Sequence, residues 1–390
     1  MKRLLLDNLL EKKMNIPFID LKTQQSRIRD KIELGWKNVL DHGAFIMGPE
    51  IEKLETRLSK WSETSHNISC SSGTDALILA LLGLELKPGQ GVIVPSFTFA
   101  ASAEVMPALG ALPVFAEVEK NTFNLDPLKL ADALETGKKA GVDVAGIIGV
   151  GLFGQPANYT AISKFARENN LWLLDDAAQS FGATLHDKPV GKLADVTCTS
   201  FFPAKPLGAY GDAGAVFTDD DKIAEIVRSC RVHGMGHNKY ENIRIGMTGR
   251  MDTLQAVVID AKLDIFDEEL EMRREVANRY ERIIGQLVDT PKLMSGASSS
   301  WAQYVIKLPD NTDRTSVCDK LKEKKIPTAI YYPVPMHKQL PYEKYPVAHT
   351  GLELTMDLCD RVLALPMHAY LSEDQQKYVV AGLELALKCK

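Results

Sequence analysis

The chain has 390 residues, of which 45% are hydrophobic and 25% charged, and its formal net charge is -5. This length allows a large buried core, arranged as two domains or as one large domain with an appendage. The slightly acidic balance gives no electrostatic basis for binding nucleic acid or an acidic membrane surface. No apolar run in the sequence approaches the roughly 18 residues that span a bilayer.

The six cysteines form neither a C-x-x-C pair nor a dense framework. Their spacing is typical of reduced thiols in the cytoplasm, so neither a zinc site nor a disulfide scaffold is expected. Residues 1–13 are charged and leucine-rich but lack the apolar core and cleavage site of a signal peptide. We interpret residues 1–14 as an N-terminal extension of a cytoplasmic protein, with Met14 as a second possible start.

Helix-like and strand-like segments alternate along the rest of the chain. Helices are predicted at 24–41, 51–61, 100–109 and 128–134, and strands at 91–94, 112–115, 145–150, 171–174, 196–201 and 215–218. Such alternation predicts an α/β fold with a mostly parallel central sheet flanked by helices. One long charged helix is expected over 251–287, and segments 301–308 and 314–325 predict a smaller C-terminal α+β domain. We place the two domains at 15–260 and 261–390.

The segment 69–77 (SCSSGTDAL) has the composition of a helix start that binds an anion. Its hydroxyl groups and glycine lead into an apolar helical run, 76–84. The backbone N–H groups and positive dipole at a helix N-terminus favour a phosphate. Ordinary helix capping accounts for the same residues equally well when they are considered alone.

A G-x-G-x-x-G motif at 149–154 follows a strand-like segment, and Asp175 lies about twenty residues further on, as a dinucleotide site requires. The context does not fit. Residues 155–158 (QPAN) intervene before the helical run 160–169, so the third glycine opens no helix that meets a pyrophosphate. We therefore reject a dinucleotide site here.

Asp176 closes the predicted strand 171–174 and so lies at its carboxyl end, where open α/β sheets bind ligands. A buried carboxylate requires a partner, and a protonated pyridine nitrogen is a suitable one. Gln179 follows one helical turn later and is placed to hydrogen-bond the same ligand. The alternative is that Asp175 or Asp176 only caps a helix.

Lys205 lies among apolar and ring-bearing neighbours, Phe201, Phe202, Pro203, Pro206 and Leu207. Desolvation disfavours its ammonium form, so the neutral amine can attack an aldehyde. Together with Asp176 and the segment 69–77, it predicts a site for pyridoxal 5'-phosphate (PLP). Ser200 is a further phosphate donor, and Phe99 is placed to stack on the cofactor ring. Taken alone, Lys205 reads as a surface lysine and Phe99 as a core aromatic.

Several motifs in one order resemble the DegT/DnrJ/StrS family of PLP-dependent sugar-nucleotide aminotransferases. They are SGTDA at 72–76, PSFTF at 95–99, DAAQ at 176–179 and SFFPAK at 200–205. The resemblance continues through 244–255, 330–337 and 365–368, and it covers roughly residues 15–385.

The resemblance implies the PLP-dependent transferase fold of type I and a homodimer whose active sites are shared between subunits. It assigns the Schiff base to Lys205, the pyridine nitrogen to Asp176 and the ring hydroxyl to Gln179. The cofactor phosphate would be bound by Gly73, Thr74 and Ser200. Relatives with histidine in place of the lysine act as sugar dehydratases, so Lys205 favours amino transfer, with glutamate as the donor.

Thr248 departs from the family pattern, because many members carry an asparagine there that touches the phosphate of the other subunit's cofactor. Threonine is shorter but still donates a hydrogen bond. The segment 201–212 is similar to members that aminate the 3-keto position of UDP-linked N-acetylhexosaminuronic acids. In those members an arginine near the position of Arg250 pairs with the uronate carboxylate. Tyr332 and His337 are sugar or nucleotide contacts on the same basis.

Other interpretations remain open at this level. Arg250 alternatively forms a structural ion pair with Asp252 or lies at a subunit interface, Tyr332 is a core residue, and His337 is a surface histidine. The acceptor is alternatively a dTDP- or UDP-linked keto-6-deoxy sugar, or the protein is a PLP-binding sensor without turnover. The favoured prediction is amination of a UDP-2-acetamido-3-oxo-hexuronate for cell-surface polysaccharide or lipopolysaccharide.

Overall fold

The computed structural model describes residues 14–238 and 240–388, so the predicted extension lies outside the described residues except for Met14. The strands of the first two thirds of the chain are β1 (His66–Cys70), β2 (Gly91–Pro95), β3 (Leu112–Ala116), β4 (Val144–Val150), β5 (Trp172–Asp176), β6 (Thr184–Leu185), β7 (Lys188–Pro189), β8 (Val196–Ser200) and β9 (Gly214–Thr218). The short strands β6 and β7 pair only with each other.

The other seven strands form one sheet in the order β1-β9-β8-β5-β4-β2-β3. Strand β9 runs antiparallel to β1 and β8, and the remaining pairs are parallel. This confirms the mostly parallel sheet. The inner strands are buried along their length, as expected where helices cover both faces.

Twelve helices of four residues or more surround the sheet and form the C-terminal part within the described residues. They are α1 (Leu21–His42), α2 (Pro49–Ser62), α3 (Gly73–Gly83), α4 (Ala101–Ala108), α5 (Leu130–Lys139), α6 (Tyr159–Glu168), α7 (Asp221–Cys230), α8 (Thr253–Leu263), α9 (Phe266–Ile284), α10 (Arg314–Glu323), α11 (Glu353–Arg361) and α12 (Glu373–Lys388). The sequence predicted six of them, α1 to α6, to within about five residues, whereas α7, α11 and α12 were not predicted.

The single long helix predicted over 251–287 is wrong. Two helices, α8 and α9, occupy this region, and the helical conformation is interrupted at Asp264 and Ile265. The Asp264 carboxylate accepts hydrogen bonds from Arg57, at 2.9 Å, and from Lys31. Helix α8 is buried on nearly every face, whereas α9 buries one side only, so the break lets each helix pack in a different environment.

The last part of the chain has its own apolar core. Strand β10 (Tyr304–Lys307) pairs antiparallel with β11 (Val362–Leu365), and this pair shares one apolar core with α9 and α10, which both pack against α12. The core includes Val276, Tyr280, Ile306, Leu321, Leu363 and Leu383. The elements predicted in 301–308 and 314–325 are therefore present, while the domain bounds 15–260 and 261–390 stay a prediction. No helix in the described residues is long and apolar enough to cross a membrane.

Candidate active site

The parallel strands bring most of the predicted site residues to one cavity of about 490 Å³ at the carboxyl ends of β5 and β8. Side chains from the sheet, from α3 and from the C-terminal part line it. Its walls include Gly73, Thr74, Phe99, Asp176, Gln179, Ser200, Lys205 and Tyr332. We call it the central cavity.

Lys205 enters the central cavity from a tight turn that follows β8. Its N–H donates to the carbonyl of Phe202 at 2.9 Å, and the turn closes at Gly208, where an added Cβ would lie 2.5 Å from the Pro203 carbonyl oxygen. Burial lowers the pKa of Lys205 to about 8, and the nearby Asp176 carboxylate opposes this shift. A fraction of Lys205 therefore carries a neutral amine at neutral pH, which a solvated surface lysine would not.

Asp176 is 5% exposed and faces the central cavity from the end of β5. Its Oδ2 accepts a hydrogen bond from the Ser102 hydroxyl at 2.7 Å, and its Oδ1 accepts one from the Ala178 N–H at 3.2 Å. Thr98 lies 2.9 Å from the Ser102 hydroxyl. Burial raises the pKa of Asp176, while these donors and the Lys205 amine lower it. Turns rather than a helix follow the strand, so the capping alternative is not realised.

The segment 69–77 combines both functions considered for it. Ser72 caps α3 by accepting a hydrogen bond from the Asp75 N–H at 3.0 Å. Gly73 and Thr74 form the first turn of α3, whose N–H groups have no partner within the helix, and both line the central cavity. A Cβ on Gly73 would lie 2.5 Å from the Ser200 Cβ. The sequence thus forms a helix N-terminus that an anion can approach closely.

Gln179 and two aromatic rings close another side of the central cavity. The Gln179 Oε1 accepts a hydrogen bond from the Phe153 N–H at 2.8 Å, and its Nε2 donates to the Tyr332 hydroxyl at 3.2 Å. Phe99 is 57% exposed, with its ring centroid 6.2 Å from that of Tyr332. Phe99 is exposed and lines the cavity, so its interpretation as a core aromatic is wrong, whereas Tyr332 both packs against the main core and lines the cavity.

Three predicted residues do not line the central cavity of their own chain. Thr248 is exposed, with its hydroxyl 2.8 Å from the Nε2 of His233. The buried Nε of Arg250 has no hydrogen-bond partner within the described residues. His337 is buried, with its Nδ1 2.7 Å from the Ser96 hydroxyl, and burial lowers its pKa to about 4. His337 is therefore not the surface histidine that we considered as an alternative.

The G-x-G-x-x-G motif at 149–154 has no role as a helix start. Gly154 ends a single 3-10 turn with φ at 127°, and α6 begins only at Tyr159. A Cβ on Gly151 would lie 2.0 Å from the Ser180 hydroxyl, so close packing explains this glycine. The rejection of a dinucleotide site agrees with this geometry.

Some cavity residues were absent from the prediction. Ser102 carries the hydrogen bond to Asp176, and its spacing of four residues from Thr98 on the path into α4 was a signal that could have identified it. Asp212 lies in the glycine-rich segment after Lys205. Gln303 reaches the cavity from the C-terminal part, and no local pattern marks it.

The residues present fit PLP. An amine of lowered pKa, a buried carboxyl and a helix N-terminus converge on one cavity, and the glycine that allows close approach is in place. These are the groups that the cofactor's aldehyde, ring nitrogen and phosphate require. No cluster of three or more metal-binding side chains is found in residues 14–238 and 240–388.

Comparison with known proteins agrees with this chemistry. The model of the DegT/DnrJ/EryC1/StrS aminotransferase family matches residues 26–384. A UDP-2-acetamido-2-deoxy-3-oxo-D-glucuronate aminotransferase of Pseudomonas aeruginosa is 42% identical over 373 residues, covering 94% of this chain and 99% of that protein. A UDP-N-acetyl-3-dehydro-alpha-D-glucosamine 3-aminotransferase of Acidithiobacillus ferrooxidans is 36% identical, covering 92% and 95%.

Solved structures give the same result. A DegT DnrJ EryC1 StrS aminotransferase from Brucella abortus has a TM-score of 0.93 at 40% identity, covering 96% of this chain and all of that one. The ntda protein of Bacillus subtilis, solved with bound cofactor PMP, has a TM-score of 0.87 at 29% identity, covering 96% and 85%. The chain therefore belongs to the DegT/DnrJ/EryC1/StrS aminotransferase family and is a PLP-dependent aminotransferase.

Proposed function

We propose that this aminotransferase moves the amino group of glutamate to the 3-oxo carbon of a UDP-linked 2-acetamido-hexuronate, for a cell-surface polysaccharide such as lipopolysaccharide. The observation that carries the reaction class is the convergence of the Lys205 amine and the Asp176 carboxyl on the central cavity. The acceptor is supported by the Pseudomonas aeruginosa relative, which is 42% identical over 99% of its length.

Three groups of residues would hold the cofactor. Asp176 would pair with the ring nitrogen, Gln179 would contact the ring hydroxyl, and Phe99 would lie against the ring. Its phosphate would be bound at the N-terminus of α3 by Gly73, Thr74 and Ser200. When bound, PLP supplies an aldehyde that condenses with amines and a ring that accepts electrons from the substrate carbon.

Lys205 is the residue that moves protons. With a pKa of about 8, its Nζ is neutral in a fraction of molecules at neutral pH and so can accept a proton from the donor's α-carbon. The resulting ammonium can then give that proton back at a neighbouring carbon. Asp176 favours the ammonium electrostatically, which keeps the two protonation states close in free energy near neutrality.

We further propose that the active enzyme is a cytoplasmic homodimer in which Thr248 and Arg250 face the central cavity of the partner subunit. Neither lines the cavity of its own chain, and the buried Nε of Arg250 has no partner in the described part of the chain. A guanidinium group matches a carboxylate with two parallel hydrogen bonds, as a uronate would require.

The cytoplasmic location is supported by the cysteines. Five of them are free in the described part of the chain, which fits a reducing compartment.

An assay with three acceptors and glutamate tests the substrate. They are the UDP-linked 3-oxo-uronate, the same sugar with a hydroxymethyl group in place of the carboxylate, and a dTDP-linked keto-6-deoxy sugar. We expect kcat/KM to favour the uronate by roughly tenfold or more, since a buried charged hydrogen bond is worth 1.5–3 kcal/mol. Equal kcat/KM for the first two would show that the carboxylate is not recognised. A preference for the third would support the deoxy-sugar alternative.

Arg250→Gln sharpens this assay. It should remove most of the preference for the uronate while leaving the hydroxymethyl acceptor little changed. Arg244→Gln is the matched control, because Arg244 lies on the same segment but pairs with the exposed Glu225. If both variants lose the same fraction of the kcat/KM preference for the uronate, Arg250 is not the residue that recognises its carboxylate.

Shared active sites can be tested by mixing inactive subunits. Lys205→Ala and Arg250→Gln should each be poor enzymes on the uronate, but a mixed dimer contains one cavity with both native residues. Activity should therefore reappear after subunit exchange. Activity that stays absent in a verified mixed dimer would argue that each cavity uses residues of one chain only.

Glutamate also distinguishes an enzyme from a sensor. The native protein with bound cofactor should be yellow, and glutamate should bleach that absorbance as the amino form accumulates. A colour that persists with every amino donor would favour a PLP-binding sensor.

A further inference from the structure

Strand β5 ends in two consecutive carboxyl groups that face opposite sides of the sheet, because successive side chains of a strand alternate. Asp176 faces the central cavity. Asp175 is 0% exposed and points away from it, between Gly149 of β4 and Thr197 of β8, its partners in the parallel ladder. The mechanism described above has no use for Asp175.

The surroundings of Asp175 contain no positive charge among the described residues. The hydroxyl of Tyr159, on α6, donates to its Oδ1 at 2.5 Å. Beside it, Thr197 lies on β8 and β4 contributes only glycine, while Asp176 and Cys198, on the other side of the sheet, are close enough to interact with it electrostatically. Its Oδ2 is buried without a hydrogen bond that meets normal geometry. A carboxylate here would be a second buried negative charge beside Asp176.

Two adjacent buried carboxylates need more positive charge and more hydrogen-bond donors than the end of β5 provides. Asp176 has the Lys205 amine and two hydrogen-bond donors, whereas Asp175 has neutral hydroxyls alone. An isolated buried carboxylate costs many kcal/mol, so such a group normally keeps its proton. When one cation serves two neighbouring carboxyls, one of them stays neutral.

We propose that Asp175 is a positioning residue that holds its proton up to about neutral pH, which leaves Asp176 as the single carboxylate at the end of β5 in that range. Asp176 then sets the charge in the central cavity alone. The proposal rests on the role of Asp176 given under the proposed function. Besides packing, the Tyr159–Asp175 pair would keep a second negative charge away from Asp176.

The direction of the titration follows from the same contacts. Burial, with a further contribution from Asp176, raises the pKa of Asp175 to about 7, against the lowering effect of the Tyr159 and Thr197 hydroxyls. The proton is therefore present below about pH 7 and lost above it. An ionised Asp175 adds negative charge behind Asp176 and so should raise the pKa of cations in the central cavity, Lys205 included.

Infrared spectroscopy of the apoenzyme tests the proton directly, without substrate or cofactor. At about pH 6, where exposed aspartates are ionised, the native protein should show a buried carboxylic-acid band that fades as the pH rises above neutrality. Asp175→Asn should lack this band, and the exposed Asp195→Asn should retain it. A native spectrum that matches Asp175→Asn at every pH would overturn the proposal.

Tyr159→Phe provides a second variant that keeps the carboxyl. It removes a donor that favours the charged form, so the band should persist to higher pH than in the native protein. A midpoint that does not move would show that the titrating group is not Asp175.

The functional readout is the pH titration of cofactor absorbance. The native enzyme should show an inflection near neutrality that Asp175→Asn lacks, because the amide is neutral at every pH. A role in packing alone predicts the same inflection in both proteins and would overturn the positioning role. If every sugar acceptor failed while the infrared band and this inflection were present, the proposed substrate would be wrong and Asp175 would still hold its proton.

Discussion

Two lysines of this enzyme have a pKa lowered to about 8, the half-buried Lys205 in the central cavity and the fully buried Lys262 near Glu269 and Arg273. In both cases burial is the largest cause, and a nearby carboxylate, Asp176 or Glu269, opposes it. The two lysines would therefore be equally good candidates for catalysis if the pKa alone decided.

Their surroundings differ in access. Lys262 is 1% exposed, lies 4.7 Å from the ring centroid of Tyr210, and has no hydrogen-bond partner at its Nζ within the described residues. It does not line the central cavity, whereas Lys205 does. A lowered pKa makes a lysine reactive in principle, but only open space next to the amine lets a substrate reach it.

Lys205→Ala should reduce activity more than any other substitution in this comparison. Loss of the proton-moving amine should reduce kcat by on the order of 10³- to 10⁴-fold or more, while noncovalent cofactor binding remains possible. Single-turnover absorbance measurements with glutamate check this, with Lys262→Met as the matched control for removing a buried lysine. Turnover that survives in Lys205→Ala would remove the basis of the mechanism.

Asp176→Asn should have the next largest effect. The amide keeps the shape and can still accept from Ser102, but it cannot hold a positive charge on the ring nitrogen. By comparison with other preorganised electrostatic contacts, kcat should fall by on the order of 10²- to 10³-fold. Steady-state kinetics would measure this, and Asp175→Asn, one residue away, should lose far less. Equal losses of kcat in the two variants would show that activity does not depend on which side of the sheet the carboxyl group faces.

Gly73→Ala should weaken cofactor binding more than it weakens the fold. Its Cβ would lie 2.5 Å from the Ser200 Cβ, at the helix start that is exposed to the cavity. We expect roughly a tenfold loss of PLP affinity, the equivalent of 1.4 kcal/mol, measured by titration of the apoenzyme. Gly83→Ala is the matched control, since its Cβ meets Val227 at 2.9 Å in the same helix but outside the cavity. Comparable losses of affinity would indicate a global effect of crowding α3.

Lys262→Met should have the smallest effect on activity and a favourable one on stability. Lys262 binds fewer protons in the folded than in the unfolded protein between pH about 8 and 10.5, so the free energy of unfolding rises with pH across this window. Replacing the buried cation should stabilise the protein at neutral pH by about 1–3 kcal/mol and remove that rise. Denaturant unfolding at several pH values measures both, and destabilisation would show that Lys262 has a structural partner in the assembly.

The main site residues could be predicted from the sequence because each one lies in a recognisable local sequence pattern. Lys205 is ringed by aromatic and proline residues, Asp176 ends a buried strand, and Gly73 opens a helix. Alternation of helices and strands specified the parallel sheet, and the carboxyl ends of parallel strands necessarily meet at one edge. These features depend on neighbours within a few residues, so they can be read along the chain.

Tertiary structure alone decided where distant segments meet. The break between α8 and α9 lies where Arg57 and Lys31 bind Asp264, and Gln303 reaches the cavity from the C-terminal part of the chain. His337 is buried against Ser96, 241 residues away in the sequence, and this contact arises in the same way, as does the difference between Lys205 and Lys262. Burial, open space and the sign of nearby charge are set by contacts between elements, and the order of residues in one segment does not contain them.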